Sequence, residues 1–402
     1  MKQTQNIVVG EKITINALFL DNNNWEIFKI LHKGELRSVE VVEVEKMLHC
    51  QEDSRGFRIY RCQACGEIVV VHFGCNSKVC THCGKRFADQ WAERVAKKTF
   101  DVAHRHFTLT CPEELWPYFK ENRILLKDYM DCAIRTISDV MKWKLCKEVV
   151  PGIVVVLHTY GADLKFYPHL HCLVTEGGFK DNGAWVPLNF FPYKALRKSW
   201  QYQVLTLMRK HINNPQLIDY LFKKYSYGFY VNDSANARNS SDRIKGKKQL
   251  MRYLGRYVRH PAVAESRITS YDGKHVKFWF EDKEGKKHFV EMTICEFIAA
   301  IIGHIPDKQF KTVRYYGAYS RTKRKKYKKQ LGFQDSIQKN IWSYESIWVP
   351  CCPKCGARMK YVASSKEFKH LFEANPPPDN SRLLEKITTW IRLAELSEVV
   401  TK

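Results

Sequence analysis

Two short runs hold residues whose type and spacing can do chemistry. In His169-Leu170-His171, the alternation of a β-strand sends both imidazoles to one face, where they can hold a metal ion. In Tyr253-Leu254-Gly255-Arg256-Tyr257, the two phenols are four residues apart. On a helix they share a face, with Cβ atoms about 5–6 Å apart. A phenol has a pKa of about 10, so it attacks usefully near neutral pH only beside a base or a metal-polarised phosphate. A metal next to tyrosines is equipment for cutting a DNA phosphodiester and holding the cut end covalently.

A divalent metal wants a third ligand. His158 ends the preceding apolar strand, and a hairpin through Gly161 would bring it beside the pair. Gln249, one turn before Tyr253, is the alternative, and His106 is a further one with a structural role expected. Imidazole suits Mn²⁺ better than the harder Mg²⁺; either is the expected catalytic ion. Protons compete for the same nitrogens. With unperturbed imidazole pKa values of about 6.5, cleavage should fall below about pH 6.5. The tyrosine segment is basic through Arg252, Arg256 and Arg259, which suits it to lie along phosphates.

Cysteines form a second kind of site. Cys62-Gln63-Ala64-Cys65 and Cys80-Thr81-His82-Cys83 are C-x-x-C knuckles, each followed by a glycine. Four such thiolates make a structural Zn²⁺ site. Cys50, His72 and Cys75 are candidates to complete a second site or to substitute at the first, while His49 and His82 read as bystanders. Cys352-Pro353-Lys354-Cys355 is a further knuckle without an obvious second half, with Cys351 as a candidate third ligand.

The chain has 402 residues, 66 Lys+Arg against 42 Asp+Glu, and a formal net charge of +24. That surplus points to a polyanion, nucleic acid before membrane. No apolar run reaches the roughly 20 residues of a membrane span, and no secretory signal is visible at the start of the chain. Paired cysteines without a signal suggest a reducing cytosol. The run Arg321, Lys323, Arg324, Lys325 and Lys326 is a candidate grip on DNA.

These residues need elements to hold them. A helix is expected over 36–48, strands over 106–110, 152–158, 170–175 and 228–231, and helices through about 147 and over 193–211. A polar loop at 233–248 leads into the tyrosine helix over 247–259, stopped by Pro261. A β-meander with turns at Asp272-Gly273 and Glu284-Gly285 is expected over 267–293, then a helix over 293–304. The prolines at 376–378 precede a last amphipathic helix.

Taken together, the cysteine block with Asn76–Cys83 and Trp91, the strand at 106–110, Leu157-His158-Thr159-Tyr160-Gly161, Pro168-His169-Leu170-His171-Cys172-Leu173-Val174, the tyrosine motif and Val313-Arg314-Tyr315-Tyr316-Gly317 resemble the two-tyrosine HUH transposases of rolling-circle insertion sequences. These are bacterial and archaeal relatives of the Helitrons. The resemblance runs from about Cys50 to Gly317. It implies an α+β fold: an HUH endonuclease domain with a central antiparallel sheet flanked by helices, an N-terminal zinc-binding domain, and a C-terminal β-rich and basic region. The corresponding division is 1–45 as a helical segment, 46–98 zinc-binding, 99–262 nuclease, 263–320 meander and helix, and 321–402 basic segment, knuckle and helix. The resemblance implies that His169 and His171 hold the metal and that Tyr253 and Tyr257 form 5′-phosphotyrosine links with single-stranded DNA at transposon ends. His158 is spaced like the third histidine of related relaxases. The chain has no G-x-x-x-x-G-K-[ST] loop, so unwinding is expected from a host helicase and replication machinery. A replication initiator or relaxase with the same chemistry, and a non-catalytic zinc-ribbon DNA-binding protein, are the alternative readings.

Overall fold

The computed structural model describes residues 13–233, 262–330 and 349–365, apart from Lys283. The loop at 234–248, the tyrosine helix and the C-terminal helix after 376–378 lie outside the described residues. In chain order the elements begin with α1 (Ile15–Leu20), α2 (Asn24–Leu31), α3 (Ser38–Leu48), β1 (Phe57–Arg61) and β2 (Ile68–His72). Next come α4 (Thr81–Lys98), β3 (His104–Thr110), α5 (Trp116–Glu121), α6 (Leu125–Leu145), β4 (Gly152–Tyr160) and β5 (Phe166–Thr175). A small hairpin of β6 (Gly177–Phe179) and β7 (Trp185–Pro187) precedes α7 (Tyr193–Arg209), α8 (Pro215–Lys224) and β8 (Val231–Asp233). The rest are β9 (Ile268–Tyr271), β10 (His275–Glu281), β11 (Lys287–Thr293), α9 (Ile294–Ile302), β12 (Val313–Gly317), α10 (Arg324–Gln330) and β13 (Lys360–Ser364). The fold is α+β. Among the described residues, no helix is long and apolar enough to cross a membrane.

The chain divides into two bodies: Met1–Leu48 with Asn76–Asp335, and His49–Cys75 with Ser336–Lys402. In the larger body the central sheet has the order β12-β4-β5-β3-β8 and is antiparallel throughout. Strict alternation gives it two different faces. Ile153, Val155, Leu157, Leu170, Cys172 and Val174 point to one side, into the core built with α6 and α7. Val154, Val156 and Leu173 point to the other, against Trp91, Ala92 and Val95 of α4. β12 lies beyond the nuclease limit of 262 expected from sequence, yet it is the edge strand beside β4, with Gly317 opposite Gly152. Gly317 has φ +55, and a Cβ there would sit 1.9 Å from the Pro151 carbonyl oxygen, so only glycine closes this corner.

The strand expected at 228–231 starts only at Val231. Gly228 is a turn residue with φ +86, tight against the Arg197 backbone. The meander at 268–293 and the following helix fall where their turns and cap place them; Thr293 and Glu296 form a reciprocal capping box.

The smaller body has a three-stranded sheet, β13-β1-β2, with β1 in the middle. Arg58 pairs with Ser364 on one side and with Val71 on the other. The zinc-binding segment expected at 46–98 is therefore not one piece. Its hairpin joins a strand from far down the chain, and α4 belongs to the larger body.

Trp200 of α7 fixes the end of β3. It is fully buried, stacks near Tyr129 at 5.0 Å and donates its Nε1–H to the Thr110 carbonyl at 2.7 Å. Trp200→Phe leaves that carbonyl buried without its donor, which costs about 1–3 kcal/mol. Thermal denaturation should show a drop of several degrees; an unchanged melting temperature would mean that water replaces the indole.

Candidate active site

The antiparallel register of β4 and β5 sets His158 directly opposite His169, and His171 opposite Val156. Opposite residues share a face, so all three imidazoles point to the α4 side of the sheet. The turn between the strands is closed by Gly161 N–H to the Lys165 carbonyl at 3.0 Å, and His304 braces it through Nε2 to the Leu164 carbonyl at 2.9 Å. Pro168 sits inside β5, not at its start. β4 shifts register between His158 and Tyr160 at this level, and a ladder irregularity is where proline is tolerated.

His158, His169 and His171 are 7%, 8% and 4% exposed. Their rings are 5.0–5.3 Å apart, and one nitrogen from each lies within 4.8 Å of the others. Each ring is backed by a stacked neighbour: His158 by Tyr160 at 4.9 Å, His169 by Tyr167 at 4.7 Å, His171 by His106 at 5.2 Å. His169 Nδ1 faces the Tyr167 carbonyl at 2.9 Å and must carry its proton, leaving the Nε2 lone pair for a cation. His171 Nδ1 faces His106 Nε2 at 3.1 Å and Thr108 Oγ1 at 3.4 Å, which turns its Nε2 the same way.

Burial lowers the His169 pKa to about 4. Burial, with the neighbouring histidines 158, 169 and 106, holds His171 well below the ordinary range. His169 and His171, held neutral and with Nδ1 engaged, converge with His158 as a donor set that suits a divalent transition ion. The acid limit expected near pH 6.5 from unperturbed values does not fit these groups, because burial moves proton competition lower.

A cavity of about 450 Å³ opens beside His158, lined by Trp91, Phe310 and Tyr315 together with Lys78, Arg123 and Lys311. Trp91 Nε1–H donates to the Tyr315 hydroxyl at 3.1 Å. The charge run is less loose than its composition suggests. Tyr327 is buried and stacks on Phe179 at 4.4 Å, anchoring α10 while Arg321, Lys323, Lys325 and Lys326 stay exposed. Arg324 is half-buried; burial first, then the charges of Arg324 and Arg94, hold the Lys98 pKa below its ordinary value.

Sequence reasoning placed His158, His169 and His171 together but missed the backing rings Tyr160 and Tyr167 and the brace His304. His104, His106, Thr108 and Thr110 alternate on one face of β3, a signal that could have put His106 behind His171. Gln249, Tyr253, Tyr257, Arg252, Arg256 and Arg259 lie outside the described residues.

The cysteines are sorted differently from the expected set of Cys62, Cys65, Cys80 and Cys83. The knuckle at Cys62 and Cys65 meets Cys352 and Cys355, all four sulfurs lying within 4.8 Å of one another. The strand pairing of β1 with β13 brings these knuckles together. Cys351 is exposed and not of this group, and His72 is engaged with Asp53 at 2.7 Å. Cys80 and Cys83 are buried at the start of α4, where Gly84 N–H meets the Cys80 carbonyl at 2.8 Å.

Comparison with known proteins gives the same outline. A family model described as "Putative transposase" matches residues 152–326, and one described as "Transposase zinc-binding domain" matches residues 22–111. The chain is 29% identical over 315 residues to the transposase for insertion sequence element IS801 of Pseudomonas savastanoi pv. phaseolicola, covering 75% of each chain. It is 26% identical over 287 residues to "Putative transposase y4qJ" of Sinorhizobium fredii, covering 67% of this chain and 71% of the other. No solved structure matches.

Burial of His169 has a measurable consequence for stability. Unfolded, it binds a proton near its ordinary pKa of about 6.5; folded, only at about 4. Between these values the unfolded chain holds more protons, so the folded state loses stability as pH falls through the window, by roughly 3 kcal/mol for a shift of this size. With chelator present, His169→Gln should therefore lose less stability than the parent between pH 6.5 and 4. Parallel losses in the two proteins would mean that the imidazole protonates freely in the fold.

Proposed function

We propose that the chain, similar to transposases over both matched segments, is an IS91-type transposase that nicks and rejoins single-stranded DNA through 5′-phosphotyrosine intermediates, in rolling-circle transposition. The observation that carries this reading is the buried, convergent trio of His158, His169 and His171 beside an aromatic and cationic cavity. These three side chains would hold Mn²⁺ or Mg²⁺, which when bound neutralises charge on the scissile phosphate. Tyr253 or Tyr257 attacks the phosphorus as its phenol gives up a proton. The P–O3′ bond breaks, and the leaving 3′ oxygen takes up a proton. The second tyrosine makes a second cut, or a freed 3′-hydroxyl attacks the phosphotyrosine and restores the phosphodiester with the tyrosine as leaving group. The bond energy kept in the link removes any need for ATP in these steps.

The single strand is held by stacking and charge. Phe310 and Tyr315 offer ring surface to bases, and Arg321, Lys323, Arg324, Lys325 and Lys326, with Arg252, Arg256 and Arg259 of the tyrosine segment, offer cations to phosphates. A host helicase would supply the unwound strand. Within the matched zinc-binding segment, Cys62 and Cys65 are committed to the knuckle at 352–355, and Cys111 lies in the sheet core.

Tyr253→Phe with Tyr257→Phe should abolish covalent protein–DNA adducts on single-stranded end sequences while leaving DNA binding within a few-fold. Adducts formed by the double variant, resolved on a denaturing gel, would put the nucleophile elsewhere.

His106 touches the ligand His171 but not the ion. Substitution of such partners lowers metal affinity about 10–100-fold. His106→Ala should therefore raise the Mn²⁺ concentration giving half-maximal nicking by that factor and recover the parental rate at saturating Mn²⁺. A rate deficit that metal does not repair would remove His106 from this positioning role.

A further inference from the structure

The two knuckles of the smaller body are built alike. In Cys62-Gln63-Ala64-Cys65-Gly66-Glu67, the Cys62 N–H meets the Glu67 carbonyl at 2.8 Å and the Gly66 N–H meets the Cys62 carbonyl at 2.9 Å. In Cys352-Pro353-Lys354-Cys355-Gly356-Ala357, the Cys352 N–H meets the Ala357 carbonyl at 2.8 Å and the Gly356 N–H meets the Cys352 carbonyl at 2.9 Å. Gly66 and Gly356 have φ of +75 and +74. These turns aim backbone and sulfur inward in the same way, and their sulfurs interleave. Cys62 Sγ is 3.4 Å from Cys355 Sγ, and Cys65 Sγ is 3.5 Å from Cys352 Sγ.

Disulfides would draw the sulfurs into two pairs at about 2.05 Å. Four sulfurs mutually within 4.8 Å are instead close to the edges of a tetrahedron around one ion, about 3.8 Å for metal–sulfur bonds of about 2.3 Å. Lys354 and Glu67 pair across the two knuckles at 2.5 Å. Among the described residues the apolar support is slight: Tyr60, Met359, Cys62 and Cys352 on one side of the sheet, Phe57 and Ile59 on the other. A metal staple adds folding energy where the core is this small.

We propose that Cys62, Cys65, Cys352 and Cys355 bind one structural Zn²⁺, making a zinc ribbon from two chain segments. The matched zinc-binding segment ends at residue 111 and holds only half of this site. The ion is tetrahedral, thiolate-bound and without an open position, so its work is to fasten β13 to β1 and not to act on substrate. The assignment is independent of the nuclease chemistry.

The test is zinc content of the full-length protein by elemental analysis. Cys62→Ser and Cys355→Ser, 293 residues apart, should each lose one zinc per chain, and the double variant should lose that same single zinc. The exposed Cys146→Ser should lose none. Cys355→His, which keeps a ligand, should retain the metal, and its Co²⁺-loaded form should keep tetrahedral d–d bands while losing part of the thiolate charge-transfer absorption. Parental zinc content in Cys355→Ser, additive loss of two ions in the double variant, or stoichiometric iron in place of zinc would each overturn the assignment.

Discussion

His158 and His169 face each other across one rung of an antiparallel ladder, and everything at the site depends on that rung. In a sheet the side-chain period is two, so a slip of one residue would move His169 and His171 into the α6–α7 core and bring Leu170 and Cys172 out. Several features resist the slip. The chain closes tightly at Gly161, His304 holds the turn from outside, and the apolar face matches large residues to a helical layer with no room for imidazole. The register is thus fixed by the hydrophobic side of the sheet, and the chemistry on the other side inherits its geometry.

Burial then does to the histidines what coordination needs. An exposed imidazole spends part of its time charged near neutral pH; desolvation holds His169 and His171 neutral, and His171 is further depressed by its neighbouring histidines. The same desolvation destabilises the fold in mild acid, a cost typical of sites that keep polar groups away from water. The stacked rings of Tyr160, Tyr167 and His106 stiffen the imidazoles, so the proposed cation would require little rearrangement of them.

Much of this was legible in the chain. The H-x-H alternation, the apolar run before His158 and the glycine between them specify a hairpin with three imidazoles on one face. Turn residues and the Thr293 cap located the meander and its helix. The helix α8 was missed despite clear signals, since Asn214 caps it and Pro215 opens it. Other features had no local signal at all. Nothing in Val313–Gly317 says that it completes the sheet beside β4, because strand partners are chosen by the surface left uncovered elsewhere. Knuckle pairing failed for the same reason: C-x-x-C specifies a turn and two ligands but not which other turn supplies the remaining two, and proximity in sequence pointed to Cys80 and Cys83.

The pairing of β1 with β13 also bears on how the protein is made. β1 is the middle strand of its sheet, yet one of its neighbours is synthesised about 300 residues later. At ribosomal rates of about 5–20 residues per second, the hairpin waits roughly 15–60 s for its partner. During that time one edge of β1 is open, and the intervening nuclease body can fold within the loop. A message cut short or a ribosome stalled before residue 360 yields a chain that carries the histidine trio but lacks a finished ribbon. Completion of the ribbon thus reports that translation has run past the histidine trio and the tyrosine motif, so that a partial chain and a longer one differ in architecture as well as in length.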